Sequence, residues 1–511
     1  MFFQAALTRC SPYAEGLKWA KMPVAPSGTR FASFWGVNML QTPFRIFALV
    51  PLALCLGMPA QAQTLSPHQQ RAGEIYKELV EINTVTATGD TARAAEAMAA
   101  RLRAAGFSGA DVQVLSPGPR KGNLVARLRG TGARKPILLL AHIDVVDARR
   151  EDWSMDPFKL IEQDGYFYGR GTGDNKYMAT AFVANLIRYK QEGYRRDRDI
   201  ILVLETDEEI LDRNAQGIQW LLKNHRDLID AEFALNEGAG VGLKNGKPVM
   251  NRVQTAEKVS VGYRLEVTNK GGHSSLPTRD NAIYRLAEGL VRLSKFSFPF
   301  KLNETTRVFF ERVAEMEGQQ TGADLRSILS GTPDPAALSL VRLSTNPLYN
   351  AQLRTTCVAT MLEGGHALNA LPQLARAGVH CRVMPGEPVE EVHATLVRVL
   401  ADDEIKVTQT SVPVLSAPSA LHEEIMGAIE KLTAEFWPGI PIIPVMSTGA
   451  TDGSYLRNAG IPTYGHSGLA ADVDDFRAHG RDERVLVRSF HEGNEYLYRF
   501  VKMLAGGAGE K

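Results

Sequence analysis

The order of apolar and polar positions changes near residue 257 of the chain. Before that point, short unbroken apolar runs alternate with stretches of helical periodicity. Such runs are typical of strands in a sheet that helices cover on both sides, because neither face of the strand meets water. The pattern predicts strands at 137–141, 200–204 and 231–235, and helices at 69–82, 91–105 and 176–190.

After residue 257 the apolar positions follow a different period. Residues 259–268 alternate apolar and polar side chains, which predicts a strand with one solvent-exposed face. Strands at 355–362 and 378–384 and helices at 281–294 and 306–316 follow, and near residue 411 the first pattern returns with a helix at 421–436. We therefore expect an α/β domain at 63–256 and 412–511, interrupted by an inserted domain at 257–411.

The N-terminal residues have the features of a secretory signal peptide. Residues 44–59 are apolar, Arg45 stands near their start, and the small-residue cleavage pattern Ala-Gln-Ala occupies 60–62. The apolar core is too short and too interrupted by proline for a transmembrane helix. We expect residues 1–62 to be a leader, with Met39 a candidate start, and the mature protein to be periplasmic or secreted. The alternative is a buried hydrophobic helix.

The composition is that of a globular protein, with 44% hydrophobic and 23% charged residues. A net charge of +1 indicates neither a nucleic-acid groove nor an anionic membrane surface as a partner of the mature form. After removal of the leader, Cys357 and Cys381 are the remaining cysteines, and an oxidising compartment would allow them to pair.

Potential metal ligands follow each predicted strand of the first domain. His142 and Asp144 follow the first strand, Glu208 and Glu209 the second, and Glu237 the third. Open α/β sheets bind ligands at the carboxyl ends of their strands, so these side chains are expected to converge. Histidine and carboxylates without thiolates suit catalytic zinc, and also manganese or cobalt.

The spacing within each motif has a chemical reason. In His142-x-Asp144 the imidazole can bind metal while the carboxylate fixes its tautomer. Of the adjacent pair Glu208 and Glu209, one can ligate while the other activates water. Asp174 lies on a glycine-rich turn before a helix, where its carboxylate could bridge two cations. Each motif alone is more often a capping or solvated arrangement, and their joint occurrence favours a metal site.

Nine segments in order resemble one known family. They are AHIDVVD at 141, GRGTGDNK at 169, ETDEE at 205, NEG at 236, GGHSS at 271, LNALP at 368, RVMPGE at 382, GATDGSYLRNAGIPTYG at 449 and AHGRDE at 478. The family is the dizinc exopeptidases that include glutamate carboxypeptidase, succinyl-diaminopimelate desuccinylase, aminoacylase and carboxypeptidase S. The resemblance implies a zinc-exopeptidase-like catalytic domain with a central mixed sheet flanked by helices, interrupted by an inserted α+β lid or dimerisation domain.

The resemblance also implies the ligands of two zinc ions. His142 and Glu237 would bind the first zinc and Glu209 and His479 the second, with Asp174 bridging both and followed by a cis peptide. His466 competes with His479, but directly follows a predicted strand and lacks the family context of His479.

Further roles carried over from the family concern catalysis and substrate. Asp144 would orient His142, Glu208 would be the general base, and His273 would polarise the scissile carbonyl, in dimeric relatives from the neighbouring subunit. Asn369 and Arg382 would hold the substrate carboxylate, although Arg382 could equally be a solvated strand residue.

These roles predict a dizinc hydrolase that acts on a small peptide or an N-acyl amino acid, as a carboxypeptidase, a dipeptidase or a deacylase. A homodimer is expected. The alternatives are a dizinc aminopeptidase of the related clan and a periplasmic binding protein without catalytic activity.

Overall fold

The structure is a computed structural model that describes residues 64–210, 216–331 and 337–506. The predicted leader, including Met39 and residues 44–62, lies outside the described residues. None of the helices in these ranges combines the length and apolar character needed to cross a bilayer.

The described ranges contain fourteen α-helices, many of which begin at polar capping residues. Ser66 and Gln69 cap the first helix reciprocally, each side chain accepting the other's backbone N–H, and Pro67 supplies a helical φ. The helices are α1 (Pro67–Glu81), α2 (Thr91–Ala104), α3 (Lys176–Gln191), α4 (Ile218–Asn224), α5 (Arg226–Ile229), α6 (Ala282–Lys295), α7 (Glu304–Met316), α8 (Gln319–Leu329), α9 (Leu338–Ser344), α10 (Pro347–Leu353), α11 (Val389–Leu400), α12 (Glu423–Phe436), α13 (Gly453–Asn458) and α14 (Val487–Ala505).

Nineteen strands are described, many of them short. They are β1 (Val112–Gly118), β2 (Lys121–Leu128), β3 (Ile137–His142), β4 (Ile161–Gln163), β5 (Tyr166–Tyr168), β6 (Ile200–Glu205), β7 (Phe233–Asn236), β8 (Val241–Lys244), β9 (Lys247–Glu257), β10 (Val259–Thr268), β11 (Gly272–His273), β12 (Thr356–Gly364), β13 (Ala370–Leu371), β14 (Leu374–Val383), β15 (Lys406–Gln409), β16 (Ile442–Ser447), β17 (Thr463–Gly465), β18 (Ala470–Asp472) and β19 (Arg484–Leu486).

The larger sheet joins ten of these strands in the order β1-β2-β6-β3-β7-β17-β9-β8-β18, with β16 also paired to β9. Strands β6, β3 and β7 run parallel at its centre, whereas β1, β2 and β6 pair antiparallel. Helices α1, α2, α3, α12 and α14 cover one face and α4, α5 and α13 the other. The predicted α/β fold with a central mixed sheet and flanking helices is confirmed, and the burial of both faces explains the unbroken apolar runs.

A second, antiparallel sheet has the order β12-β14-β10-β15. One face packs on α6 and α11 through alternating residues such as Val261, Leu265 and Val379. This one-sided burial produces the alternation at 259–268. Strand β12 forms one edge and is exposed along most of its length. Cys357 on β12 and Cys381 on β14 are direct cross-strand partners joined by a disulfide, with 4.1 Å between their Cα atoms.

The helices between these strands pack elsewhere. Phe310 of α7, Leu325 of α8 and Leu353 of α10 share one apolar cluster with Ile443 of β16, a strand of the larger sheet. The second sheet falls inside the predicted insert 257–411, but α7 to α10 pack against the first domain. The exact domain bounds therefore stay a prediction.

Candidate metal centre

The carboxyl ends of β3, β6 and β7 meet at one edge of the larger sheet. There His142 is buried, and its Nδ1 lies 3.1 Å from the carbonyl oxygen of Asp144 and 3.7 Å from that residue's Oδ1. The Asp144 carboxylate also accepts the backbone N–H groups of Glu208, at 3.2 Å, and Glu209, at 3.1 Å. Asp144 therefore orients the imidazole and also fixes the loop that carries the two glutamates.

Asp174 lies between the two histidines. Its Oδ1 is 3.0 Å from His142 Nε2, and its Oδ2 is 3.1 Å from His479 Nε2. The peptide bond that follows, between Asp174 and Asn175, is cis, as the resemblance implies. One carboxylate thus offers one oxygen to each of two imidazoles, which is the arrangement a bridging ligand requires.

Each of the two histidines has a second carboxylate beside it. Glu237 Oε2 is 3.2 Å from His142 Nε2, and Glu209 Oε1 is 3.0 Å from His479 Nε2. Ligands bound to zinc at 2.0–2.1 Å in a tetrahedron lie about 3.3 Å apart, so these separations suit two metal ions. The structure brings the five residues predicted as ligands together. The sets of three that lie closest are His142 with Glu208 and Glu237, and His142 with Asp174 and Glu209, so the assignment of ligands to each metal stays a prediction.

Glu208 lies beside the first group, His142 and Glu237. Its carboxylate and the ligand atoms of His142 and Glu237 lie within 4.8 Å of one another. That distance places Glu208 next to the first metal position without excluding a water molecule between them. The geometry thus suits a general base, although a ligand role for Glu208 is geometrically open as well.

The electrostatics of the cluster fit a bound cation. Burial and the charge of Glu237 raise the pKa of Glu208 well above its usual value, and burial also raises the pKa of Glu237. Hydrogen bonds to Asp174 and Glu209 raise the pKa of His479 to about 10. A divalent cation keeps such closely spaced carboxylates ionised, because its charge offsets their mutual repulsion. The donor set therefore fits two metal ions.

Glu483, for which no role is predicted from the sequence, holds the turn that carries Asp174. Glu483 is buried and accepts the backbone N–H groups of Gly173, at 2.7 Å, and Asp174, at 3.1 Å. It also pairs with the buried Arg170 at 2.7 Å, whose guanidinium donates to the carbonyl oxygen of Gly480. Glu483 therefore joins the loop of Asp174 to the loop of His479. Its place in the AHGRDE segment was the available signal.

A second buried carboxylate, also missed, holds the loop after β16. Glu257 accepts the backbone N–H of Thr451 at 2.6 Å and its hydroxyl at 3.0 Å, and pairs with Arg457. Asp452, on the same loop, is buried beside Glu205, and burial raises the pKa of Asp452 to about 7. The charge of Asp452 also contributes to the raised pKa of Glu208.

The competing histidine has a structural role. His466 is fully buried, with Nδ1 3.0 Å from the carbonyl oxygen of Arg252 and Nε2 2.8 Å from the hydroxyl of Tyr496. Burial lowers its pKa to about 4, so it is neutral and both nitrogens are engaged. The geometry therefore favours His479 over His466 as the ligand.

The other predicted site residues lie on the second sheet and on the segments around the separate strand pair β11 and β13. His273 is exposed on β11, and its Nδ1 lies 2.7 Å from the Ser275 hydroxyl. The exposed Asn369 accepts the backbone N–H of Ser274 at 3.0 Å. Within the described residues, no hydrogen bond or ion pair joins His273 or Asn369 to the metal-ligand cluster. The side chain of Arg382, half-buried on β14, has no hydrogen bond or ion pair with any described residue, and burial lowers the pKa of its guanidinium.

Most of the chain is similar to known metallopeptidases and related hydrolases. Residues 138–503 match the model of peptidase family M20/M25/M40. The chain is 29% identical over 377 residues to the human N-fatty-acyl-amino acid synthase/hydrolase PM20D1, covering 72% of this chain and 74% of that protein. It is 28% identical to the probable carboxypeptidase S-like 2 of Dictyostelium discoideum, covering 72% and 71%. The M20 metallo-carboxypeptidase Sso-CP2 of Sulfolobus solfataricus has a TM-score of 0.61 at 18% identity, covering 84% and 98%.

Proposed function

The chain belongs to peptidase family M20/M25/M40, and we propose that it hydrolyses the amide bond of N-acyl amino acids with the help of two zinc ions. As a member of this family it is a metal-dependent hydrolase of peptide or amide bonds. The observation that carries the two-metal part of the proposal is the Asp174 carboxylate, whose two oxygens lie 3.0 Å and 3.1 Å from two different imidazoles.

The metal ions would be held by His142 and Glu237 on one side and Glu209 and His479 on the other. Zinc, with cobalt or manganese as substitutes, suits this set of nitrogen and oxygen ligands. When bound, the ions supply Lewis acidity that lowers the pKa of the attacking water and polarises the scissile carbonyl.

The side chains of the chain itself move the proton and hold the reacting groups. Glu208 takes the proton of the attacking water and returns it to the leaving nitrogen. Asp144 keeps Glu208 in place through the backbone N–H that it accepts. His273 donates a hydrogen bond to the carbonyl oxygen as negative charge develops there.

Arg382 is proposed to bind the substrate carboxylate, with Asn369 adding a donor. A half-buried guanidinium without an ion-pair partner is costly unless an anion is supplied from outside the chain. Guanidinium and carboxylate match through two parallel hydrogen bonds. This argument supports a substrate with a free carboxylate beside the scissile amide.

Two substrate types satisfy these requirements. PM20D1, whose printed name is an N-fatty-acyl-amino acid synthase/hydrolase, supports an N-acyl amino acid. The carboxypeptidase S-like relative supports a second candidate, removal of a C-terminal residue from a peptide. Both leave a free amino acid as the carboxylate-bearing product.

The oligomeric state and the compartment are also proposals. Val358, Met361 and Leu362 are exposed on the edge strand β12, which could pair with a second copy in a homodimer. In such a dimer His273 would act in the partner subunit. The Cys357–Cys381 disulfide supports the periplasmic or secreted location expected from the leader.

A turnover screen tests the proposed substrate class. N-acyl amino acids and dipeptides are compared with the same compounds carrying a C-terminal amide. We expect the free acids to be cleaved at least ~10-fold faster, and Arg382→Ala to remove most of that difference, because hydrogen bonds to charged groups contribute about 1.5–3 kcal/mol. Equal cleavage of acids and amides would contradict the carboxylate requirement and favour an aminopeptidase.

A further inference from the structure

The segment that carries Glu208 is anchored on both sides of that residue. On one side, the Asp144 carboxylate accepts the backbone N–H of Glu208. On the other side stands Asp207, which is buried and has a φ of 68°, in the left-handed region. Aspartate adopts this region more readily than most residues, but such a conformation persists only where the surroundings hold it. The contacts of Asp207 therefore help to decide where the chain presents Glu208.

Three groups hold the Asp207 carboxylate. The Lys121 ammonium pairs with its Oδ1, and the Thr206 hydroxyl lies 3.2 Å from the same oxygen. The backbone N–H of Gln216 donates to its Oδ2 at 3.1 Å. Because Gln216 lies after both glutamates in the chain, Asp207 ties the chain before Glu208 to the chain that follows them.

Lys121 reaches Asp207 because of the register between β2 and β6. Leu124 of β2 is paired with Leu204 of β6, and the two strands are antiparallel. Lys121 and Asp207 each lie three positions beyond that pair, in opposite chain directions, so the same register sets them side by side. The Lys121 side chain is 19% exposed and that of Asp207 is 2% exposed. Removal of either charge would leave the other one shielded from water without its ion-pair partner.

A second ion pair on β2 shows what is particular to this one. Arg127 pairs with Asp199 at 2.9 Å, and the two side chains are 22% and 17% exposed. Asp199 directly precedes β6, whereas Asp207 follows it, so the two pairs lie at opposite ends of that strand. Both pairs are largely shielded from water, but the one that contains Lys121 lies at the end of β6 that leads into Glu208.

We propose that Lys121 and Asp207 are positioning residues for the general base. Their ion pair holds Asp207 in its left-handed conformation, and this conformation aims the Glu208 carboxylate at the attacking water. The inference rests on the proposed function, in which Glu208 takes the proton of that water. Glu209 has separate contacts through its backbone N–H and its side chain. Loss of the ion pair should therefore slow proton transfer more than it weakens metal binding.

Lys121→Met, which removes the charge but keeps most of the side-chain length, tests the proposal on the mature, metal-loaded protein. With N-acetyl-leucine and alanyl-leucine as substrates, we expect kcat to fall about 10–100-fold while KM and the metal content after dialysis stay near wild type. Lys121→Arg keeps the charge and should recover most of the rate. Asp207→Asn tolerates the same backbone conformation, and should show the same loss of kcat with metal retained. Arg127→Met is the matched control: it should lower the midpoint of thermal unfolding but leave kcat near wild type.

Combination with Glu208→Gln distinguishes an effect through the base from any other effect. In the Glu208→Gln background, Lys121→Met should lower kcat no further, because the two losses share one cause and do not multiply. Losses that multiply, a wild-type kcat for Lys121→Met, or an equal kcat loss for Arg127→Met overturn the inference and leave the proposed function intact. Loss of metal from Lys121→Met would also overturn it, since the ion pair would then serve the ligands. Near wild-type activity of Glu208→Gln overturns the assignment of the base and this inference together.

Discussion

The metal-ligand cluster differs from the segments 269–276 and 368–373 around the paired strands β11 and β13, here called the arm, in how the chain holds them. At the cluster, His142 and Asp144 are buried, Asp144 fixes the glutamate loop, and Glu483 fixes the turn of Asp174. On the arm, His273 and Asn369 are exposed and hydrogen-bond only to near neighbours among the described residues. The contrast indicates that the metal-ligand cluster is preorganised by buried hydrogen bonds, whereas His273 and Asn369 lie on an exposed segment held by short-range hydrogen bonds.

The largest effect is expected from the general base. Glu208→Gln should keep metal but lower kcat by about 10²–10⁴-fold, because it removes proton transfer alone. Glu209→Gln, at the adjacent position, is the control: it should weaken metal binding, measured by metal content after dialysis. A near wild-type rate for Glu208→Gln would show that the base is another group.

A smaller loss is expected from the residue that fixes the Asp174 turn. Glu483→Gln keeps the size of the side chain but removes the charge that faces Arg170, so metal affinity or activity should fall about 10–100-fold. Glu495→Gln, at a half-exposed partner of Arg188, is a matched control on a remote surface. If Glu483→Gln behaves like this control, the turn does not depend on Glu483.

Mixed dimers test whether the arm acts on a partner subunit. His273→Ala and Glu208→Gln should each be inactive, and an equimolar mixture should recover about a quarter of wild-type activity, because half the dimers are mixed and each has one intact site. Subunit exchange is checked by tagging one variant. Proven exchange without recovered activity would place His273 in its own subunit or outside catalysis.

The smallest effect on activity is expected from the disulfide on the second sheet. The double variant Cys357→Ser with Cys381→Ser should lower the free energy of unfolding by about 3 kcal/mol, since the bridge closes a loop across 24 positions. Denaturant unfolding measures this, and activity below the transition should stay near wild type because the cluster lies on the other sheet. An unchanged midpoint together with two free thiols by mass spectrometry would show that the bridge does not form.

The sequence predicted best those elements whose burial is uniform or strictly alternating. Strands β3 and β6 are buried on both faces and β10 on one, so their hydrophobic pattern alone reveals them. Strands such as β17 and β18, of three residues, and the short helices α9 and α10 are too brief to show a period. Their positions depend on tertiary contacts that a local pattern does not contain.

The site residues show the same contrast between those that a local sequence pattern reveals and those that depend on contacts distant in the chain. The residues of the cluster could be named from the sequence because strand ends and motifs place them, and context alone favoured His479 over His466 as the predicted ligand. Glu483 and Glu257 were not assigned roles, because their partners Arg170 and Arg457 lie 313 and 200 positions away in the chain. Buried carboxylates with such distant partners carry no local signal beyond their motif.

The metal content of the purified mature protein tests the central claim most directly. Elemental analysis should find about two zinc ions per chain, and Asp174→Asn should lose more than one of them because the bridging carboxylate serves both positions. Exhaustive chelation should abolish activity, and added zinc or cobalt should restore it. Full activity in a chelated protein that holds no metal would contradict the account.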